Sequence, residues 1–311
     1  MDYIKGITFM PFAHRGYFEK EEVRKSLLVM QERTGADTVI LAPAGVQKTP
    51  QSTEISWMTE NTVTDTELCS LIEYAKNTGL RVILKPTVNC LNGVWRAFIN
   101  FFDEDVPCEP KWSDWFRSHT EFQLHYAQIA EDTQCDMFIT GCEMVMSERR
   151  EVEWRELIRR VKSVYHGPVS YNTDKYQEHN VKWWDCVDVI SSSGYYPADD
   201  WERQLDRIEK VVMKYQKPFF FAEMGCMSTT GSKAVPNDWG LKGAADPEEQ
   251  KEWYEKAFAA MDGREWVQGA ALWSWPGKLY TEQEAGENRY YEFYLKPAEK
   301  IIRRYFSKQE K

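Results

Sequence analysis

The stretch Lys217-Pro-Phe-Phe-Phe-Ala-Glu-Met-Gly225 reads as a strand that starts on a proline, runs through three phenylalanines and an alanine, and ends on a carboxylate and a glycine. A continuous apolar run without polar alternation is the pattern of a parallel-sheet strand covered on both faces. Nothing inside such a strand calls for an ionised group, so Glu223 is placed at its C-terminal end, where the chain leaves the sheet. That end is where α/β proteins bind ligands. On this stretch alone, a rim glutamate paired with a lysine or arginine is an equally good reading.

Outward from it, strands and helices alternate over the whole chain. Strands are predicted at Ile4 to Phe12, Asp37 to Ala42, Arg81 to Lys85, Met137 to Thr140, Pro168 to Tyr171, Val187 to Ser191, the opening stretch as the seventh, and Val267 to Trp273. Helices are predicted at Glu21 to Thr34, from a Thr64/Glu67 capping box to Asn77, and at Ser113 to Asp132, Arg149 to Tyr165, Trp201 to Tyr215, Pro247 to Met261 and Pro297 to Phe306. Eight such units without a linker predict an α/β fold, a single (β/α)8 TIM barrel over residues 1–311. A doubly wound sheet is the alternative, disfavoured because no G-x-G-x-x-G follows the first strand. Elongated loops follow strands 2, 3 and 7, whereas connections from helix to strand are short, which marks one face as the working one.

Composition excludes several classes. With 42% hydrophobic and 28% charged residues, a net charge of −10 and no basic run, the chain is an ordinary globular protein and a poor partner for nucleic acid. No apolar run is long enough to span a membrane, and MDYIKGITFMPF lacks the features of a leader, so a cytoplasmic location is expected, or secretion if a leader precedes this sequence. Seven cysteines without a C-x-x-C pair are read as free thiols. The five histidines show no metal-binding spacing, and no nucleophile elbow or phosphate loop occurs, so neither cofactor nor metal is expected. Aromatic residues reach 14%, with 13 tryptophans. Most belong in a core, although tryptophan near loops also stacks on sugar rings.

Glu143 ends the fourth strand as Glu223 ends the seventh, so a closed barrel brings both acids to one mouth. Two neighbouring carboxylates disfavour each other's ionisation, and glycoside hydrolysis needs one acid protonated and the other ionised. A structural pair of rim glutamates is the competing reading. Tyr195 after strand six, Trp273 after strand eight, Asn172 after strand five and Lys85 at the end of strand three gather at the same level. They suit a donor to a carboxylate, a sugar platform and polar sugar contacts. Their plainer readings are a packed turn residue, core, a helix cap and a salt-bridge partner. His14, just after strand one, is either a substrate contact or a turn residue.

These residues fall in an ordered set of motifs: KGITF at Lys5 to Phe9, LKP at Leu84 to Pro86 with Trp95 and Arg96, GCEM at Gly141 to Met144, YNTD at Tyr171 to Asp174, W-D-x-x-D from Trp184 with YYP at Tyr195 to Pro197, AEMG at Ala222 to Gly225, and LWSW at Leu272 to Trp275. The set resembles glycoside hydrolase family 113, barrel β-mannanases of a clan of retaining glycosidases. The resemblance implies Glu143 as acid/base, Glu223 as nucleophile, Tyr195 as the nucleophile's hydrogen-bond partner and Trp273 as the floor of the sugar site. It implies Trp95, Arg96 and Cys142 among the sugar contacts, and a mannan or manno-oligosaccharide as substrate. Another β-glycosidase of the clan, acting on glucan or xylan, and a carbohydrate-binding barrel without activity are the alternatives. Several positions depart from the family pattern. Cys142 stands where the clan usually has an asparagine, Thr87 and Asn89 where the family tends to have histidine and aspartate, Ser193 in place of an aspartate and Cys226 in place of an aromatic residue.

Overall fold

The structure, a computed structural model, describes residues 1–309. Its strands are β1 (Ile4–Phe9), β2 (Thr38–Leu41), β3 (Ala44–Gln47), β4 (Arg81–Leu84), β5 (Thr87–Cys90), β6 (Met137–Cys142), β7 (Val169–Thr173), β8 (Val189–Gly194), β9 (Phe219–Met224) and β10 (Val267–Trp275). All except β3 and β5 close into one parallel barrel in the order β1-β10-β9-β8-β7-β6-β4-β2. The helices are α1 (Glu21–Thr34), α2 (Asp65–Asn77), α3 (Trp112–Asp132), α4 (Glu151–Lys162), α5 (Trp201–Tyr215), α6 (Pro247–Met261), α7 (Glu282–Glu287) and α8 (Pro297–Lys308). The fold is the expected (β/α)8 barrel. Between β7 and β8 a 3₁₀ turn at Trp184–Cys186 stands where the other units carry an α-helix.

Local chemistry explains the boundaries. Thr64 and Glu67 satisfy each other's backbone amides and start α2, while the Asp246 side chain accepts from the Glu249 amide, ahead of Pro247, and starts α6. β1 ends at Phe9 and does not reach Phe12, because Met10 turns into the left-handed region (φ 44°) and Pro11 has no amide to donate. The long polar loops after strands two and three conceal the extra pair. Beyond Pro43 and Pro86 the two chains run on side by side as β3 and β5, a small parallel sheet in register from Ala44/Thr87 to Gln47/Cys90. It carries Asn89 and Cys90 to the barrel mouth.

Two apolar layers divide the strands by side-chain parity. Ile4, Ile40, Ile83, Met137, Ile139, Phe220 and Ala222 fill the barrel interior, whereas Phe138, Phe219 and Phe221 pack outward under the helices. On that alternation Glu223, two residues after Phe221, would face the helix layer. A bulge in β9 prevents it. Ser192 and Ser193 are consecutive on β8 but pair with Phe221 and Glu223, and on the other side Ala270 and Leu272 pair with Phe221 and Met224. The extra residue turns Glu223 into the barrel mouth and returns Met224 to the outer layer. β6 has a similar insertion between Ile139 and Cys142. Gly141 adopts φ +148° there, and a Cβ would lie 2.9 Å from Trp154 and 3.0 Å from Tyr171. Glu143, just beyond, sits at φ 53°, an uncommon conformation for a non-glycine residue and one that clusters at functional sites.

Candidate active site

The two bulges open onto one cleft of about 740 Å³, lined by Glu143, Glu223, Tyr195 and Trp273 together with Trp95 and Arg96. Each carboxylate is held on both oxygens. Glu223 Oε1 accepts from Lys85 Nζ at 2.5 Å and Cys142 Sγ at 3.3 Å, and Oε2 accepts from the Tyr195 hydroxyl at 3.0 Å. Glu143 Oε2 accepts from the Trp95 indole at 3.0 Å and from Arg96 at 3.3 Å, and Oε1 accepts from Ser193 Oγ at 2.8 Å. Arg96 also donates to Cys142 Sγ at 3.8 Å, so one guanidinium and one thiol tie the two carboxylates into a single network.

Their electrostatic settings differ. Burial raises the carboxyl pKa of Glu223, but the Lys85 ammonium, its hydrogen bond and the charge of Arg96 outweigh that, and the net shift is below the ordinary value. Glu223 is therefore ionised through the neutral range. Burial, and then the charge of Glu223, push the Tyr195 hydroxyl and the Cys142 thiol up. Both keep their protons and act as donors.

Lys85→Met is expected to move the acidic limb of kcat/KM to higher pH. Without the ammonium, burial dominates and Glu223 takes up its proton earlier as pH falls. Since the native carboxyl is held low, the stability it contributes is present above the unfolded value and lost as pH falls through the folded one. Removing one partner of this buried pair costs about 3–5 kcal/mol at neutral pH. Urea unfolding and a pH profile measure the two effects, and an unmoved acidic limb contradicts the role given to Lys85.

Not every residue expected to touch sugar reaches the cleft. Lys85 and Asn172 are fully buried and Cys142 is 1% exposed. They lie beneath the carboxylates and hold them instead of facing a ligand. Asn172 donates to Ser193 Oγ at 3.0 Å, and Ser193 in turn donates to Glu143. His14 is exposed, stands against Tyr17 at 5.9 Å and does not line the cleft. Arg96 is fixed by Val88 O at 2.7 Å and Asn89 Oδ1 at 2.8 Å, so Asn89, one of the departures from the family pattern, orients a residue that touches Glu143. Cys226 is buried and donates to Ser232 Oγ at 3.2 Å, away from the cleft.

Other lining residues carry no signal in the spacing. Phe12 and Trp239 stand edge-on to Trp273 at 5.8 and 6.1 Å, all three on loops or strand ends far apart in sequence. Phe12 and Trp239 are more than half exposed, unlike the many tryptophans packed in the core. Asp174 and Lys175 line the opposite wall. Asp174 was legible as the end of the YNTD run after the fifth strand, but only the closed barrel places it beside Glu143.

The arrangement is one ionised carboxylate fixed by donors, a second carboxylate open to the same cleft, and an aromatic wall. Comparison with known proteins agrees with it: the profile of Glycoside Hydrolase Family 113 matches residues 7–296. The chain belongs to glycoside hydrolase family 113. A solved GH113 β-1,4-mannanase, determined as a complex, is 54% identical, with 99% of each chain covered and a TM-score of 0.97. The GH113 β-mannanase of Alicyclobacillus acidocaldarius, bound to ManMIm, is 41% identical over 99% of this chain and 98% of that one, with a TM-score of 0.96. The β-D-glucuronidase of Dictyoglomus thermophilum, at 16% identity and a TM-score of 0.67 over 99% of this chain and 51% of that one, shares the fold alone. No curated protein matches the sequence. As a family 113 member the protein is a glycoside hydrolase, and its substrate is a carbohydrate.

Proposed function

We propose that this glycosidase hydrolyses β-1,4-linked mannan or manno-oligosaccharides with retention of anomeric configuration. Glu223 is the nucleophile and Glu143 the acid/base. The observation that carries the reading is the different partners of two carboxylates in one cleft: Glu223 is ion-paired with the fully buried Lys85, accepts from Cys142 and Tyr195 and is held ionised, whereas Glu143 accepts from the cleft-lining Trp95 and Arg96 and from the buried Ser193 hydroxyl. In the first step the glycosidic oxygen takes the proton of Glu143 as the bond to the leaving sugar breaks. Glu223 Oε forms an ester with the anomeric carbon. In the second step Glu143 takes a proton from water, which attacks that carbon and frees Glu223. Trp273, 6% exposed at the base of the aromatic wall, offers a face to the sugar ring. The mannan specificity rests on the named substrate of the 54%- and 41%-identical relatives.

Proton NMR of a β-1,4-manno-oligosaccharide digest tests both parts. The β-anomer is expected first, with the α-anomer following by mutarotation. The α-anomer appearing first contradicts the retaining mechanism. Cleavage of cello- or xylo-oligosaccharides but not manno-oligosaccharides contradicts the substrate.

A further inference from the structure

Trp239 is 53% exposed on the long loop after β9, and it lines the cleft beside Trp273. Among the described residues, the hydrogen bonds of residues 236–240 run within 235–241, as from the Asp238 amide to Val235 O and from the Gly240 amide to Asp238 Oδ1, with one exception. The Tyr291 hydroxyl donates to the Pro236 carbonyl at 2.6 Å. The Tyr291 ring also lies 4.6 Å from that of Trp239. Tyr291 is itself held from behind, in the segment between α7 and α8. Gln250, fully buried on α6, donates to Tyr291 O at 3.1 Å and to Cys226 O at 2.8 Å. The residues just before Tyr291 are bound to the start of the β9 loop: Lys296 Nζ donates to Ser228 Oγ at 2.6 Å and to Asn288 Oδ1 at 2.9 Å, and the Thr229 hydroxyl donates to Arg289 O at 2.7 Å. The Tyr291 ring packs with Tyr195, Met227 and Trp273 in a small apolar cluster of its own. Gly225 makes room for it, since a Cβ there would lie 2.5 Å from Trp273 O and 3.2 Å from Tyr291. Tyr291 is the fixed partner, and the loop tip is what it fixes.

We propose that Tyr291 is a positioning residue for chain length: its hydroxyl holds the loop tip so that Trp239 meets the sugar next to the one that reacts. The proposal rests on the reading of Trp273 as the floor of the sugar site. The rings of Trp239 and Trp273 are 6.1 Å apart with planes crossed at 73°. Two rings so crossed do not stack on one face of a single sugar, so Trp239 is left for the next residue of the chain. Tyr291 is 2% exposed and does not line the cleft, so it acts through Trp239 and not on the sugar. Its hydroxyl sets the loop in place when the protein folds. Without that bond the loop tip is ordered only when a chain binds, and the cost of ordering is taken from the binding free energy. The loss falls on binding that ground state and transition state share, which raises KM and leaves kcat in place.

The test is a double-mutant cycle read on a long and a short substrate. Tyr291→Phe removes the hydroxyl and keeps the ring against Tyr195, 5.9 Å away, so the donor to Glu223 is undisturbed. On mannotetraose its KM is expected to rise about three- to tenfold, the worth of one hydrogen bond, with kcat within about twofold. On an aryl mannoside, which carries a single sugar, kcat/KM is expected to stay in place. Trp239→Ala should raise KM on the tetraose at least as much, and the double variant should go no further than Trp239→Ala alone, because the hydroxyl acts through that indole. A merely structural role lowers kcat on both substrates and adds to Trp239→Ala. An unmoved KM in Tyr291→Phe, an equal loss on both substrates, or an additive double variant overturns the proposal. A Tyr291→Phe chain that does not fold overturns it as well, since the hydroxyl then serves the fold. Trp273→Ala separates the two levels: unaltered kinetics there remove the sugar site and the proposal together. A loss there with an unmoved Tyr291→Phe removes Tyr291 alone. If wild type cleaves cello- but not manno-oligosaccharides, the substrate reading falls, and the same cycle on cellotetraose decides Tyr291.

Discussion

Glu223→Ala is expected to lower kcat/KM for manno-oligosaccharides by about 10⁴- to 10⁶-fold, the scale seen when a covalent nucleophile is removed. Under the proposed mechanism the substitution takes away the carboxylate that forms the glycosyl ester. It also leaves Lys85, fully buried, without its counter-ion. An uncompensated buried charge destabilises by about 3–5 kcal/mol, so part of any loss could come from unfolding. Circular dichroism and a paired Glu223→Gln variant, which keeps the volume and one acceptor oxygen while removing the charge, separate chemistry from folding. A folded variant of either kind that turns over within about a hundredfold of wild type contradicts the nucleophile assignment, because residual catalysis from binding and electrostatics alone falls far below that.

Glu143→Ala is expected to cost about 10²- to 10⁴-fold on manno-oligosaccharides, the usual contribution of a general acid. The loss should depend on the leaving group. An activated aryl mannoside departs without a proton, so its glycosylation survives and the glycosyl-enzyme accumulates, visible as a burst of phenol. Azide then has room to act. The alanine leaves a space bordered by the Arg96 guanidinium and the Trp95 indole, which donate to the carboxylate in the native enzyme and suit a small anion. Azide attacks the anomeric carbon, its nitrogen replaces the ester oxygen of Glu223, and a β-mannosyl azide is released. Turnover restored by azide with that product identifies Glu143 as the acid/base. Equal losses on oligosaccharide and activated substrate, with no azide product, contradict it.

Much of this was legible in the chain itself. KPFFFAEMG is apolar on both faces, and the same signature recurs in TVILA and RVILK, because parallel strands buried under helices cannot afford polar alternation. α1, α5 and α6 run over the predicted residues, since capping groups, an amphipathic stripe or a leading proline mark their ends. β3 and β5 were hidden inside loops by Pro43 and Pro86, which break the strand pattern without ending the pairing. Phe12, Trp239 and Lys175 were hidden for another reason. They come from separate loops, and no spacing along the chain links residues that only barrel closure brings together.

By itself the sequence determined eight strands, their order and a glutamate at the end of the fourth and of the seventh, because these depend on local burial and chain order. It did not determine where those glutamates point. Strict alternation from Phe221 turns Glu223 toward the helices; one extra residue in β9, absorbed as a bulge against both neighbouring strands, turns it into the cleft. Nor did it separate residues that face a sugar from those that hold the carboxylates. Lys85, Cys142 and Asn172 share the level of Trp273 along the strands, yet they sit a layer deeper, and depth within a closed barrel is a property of the packed structure alone.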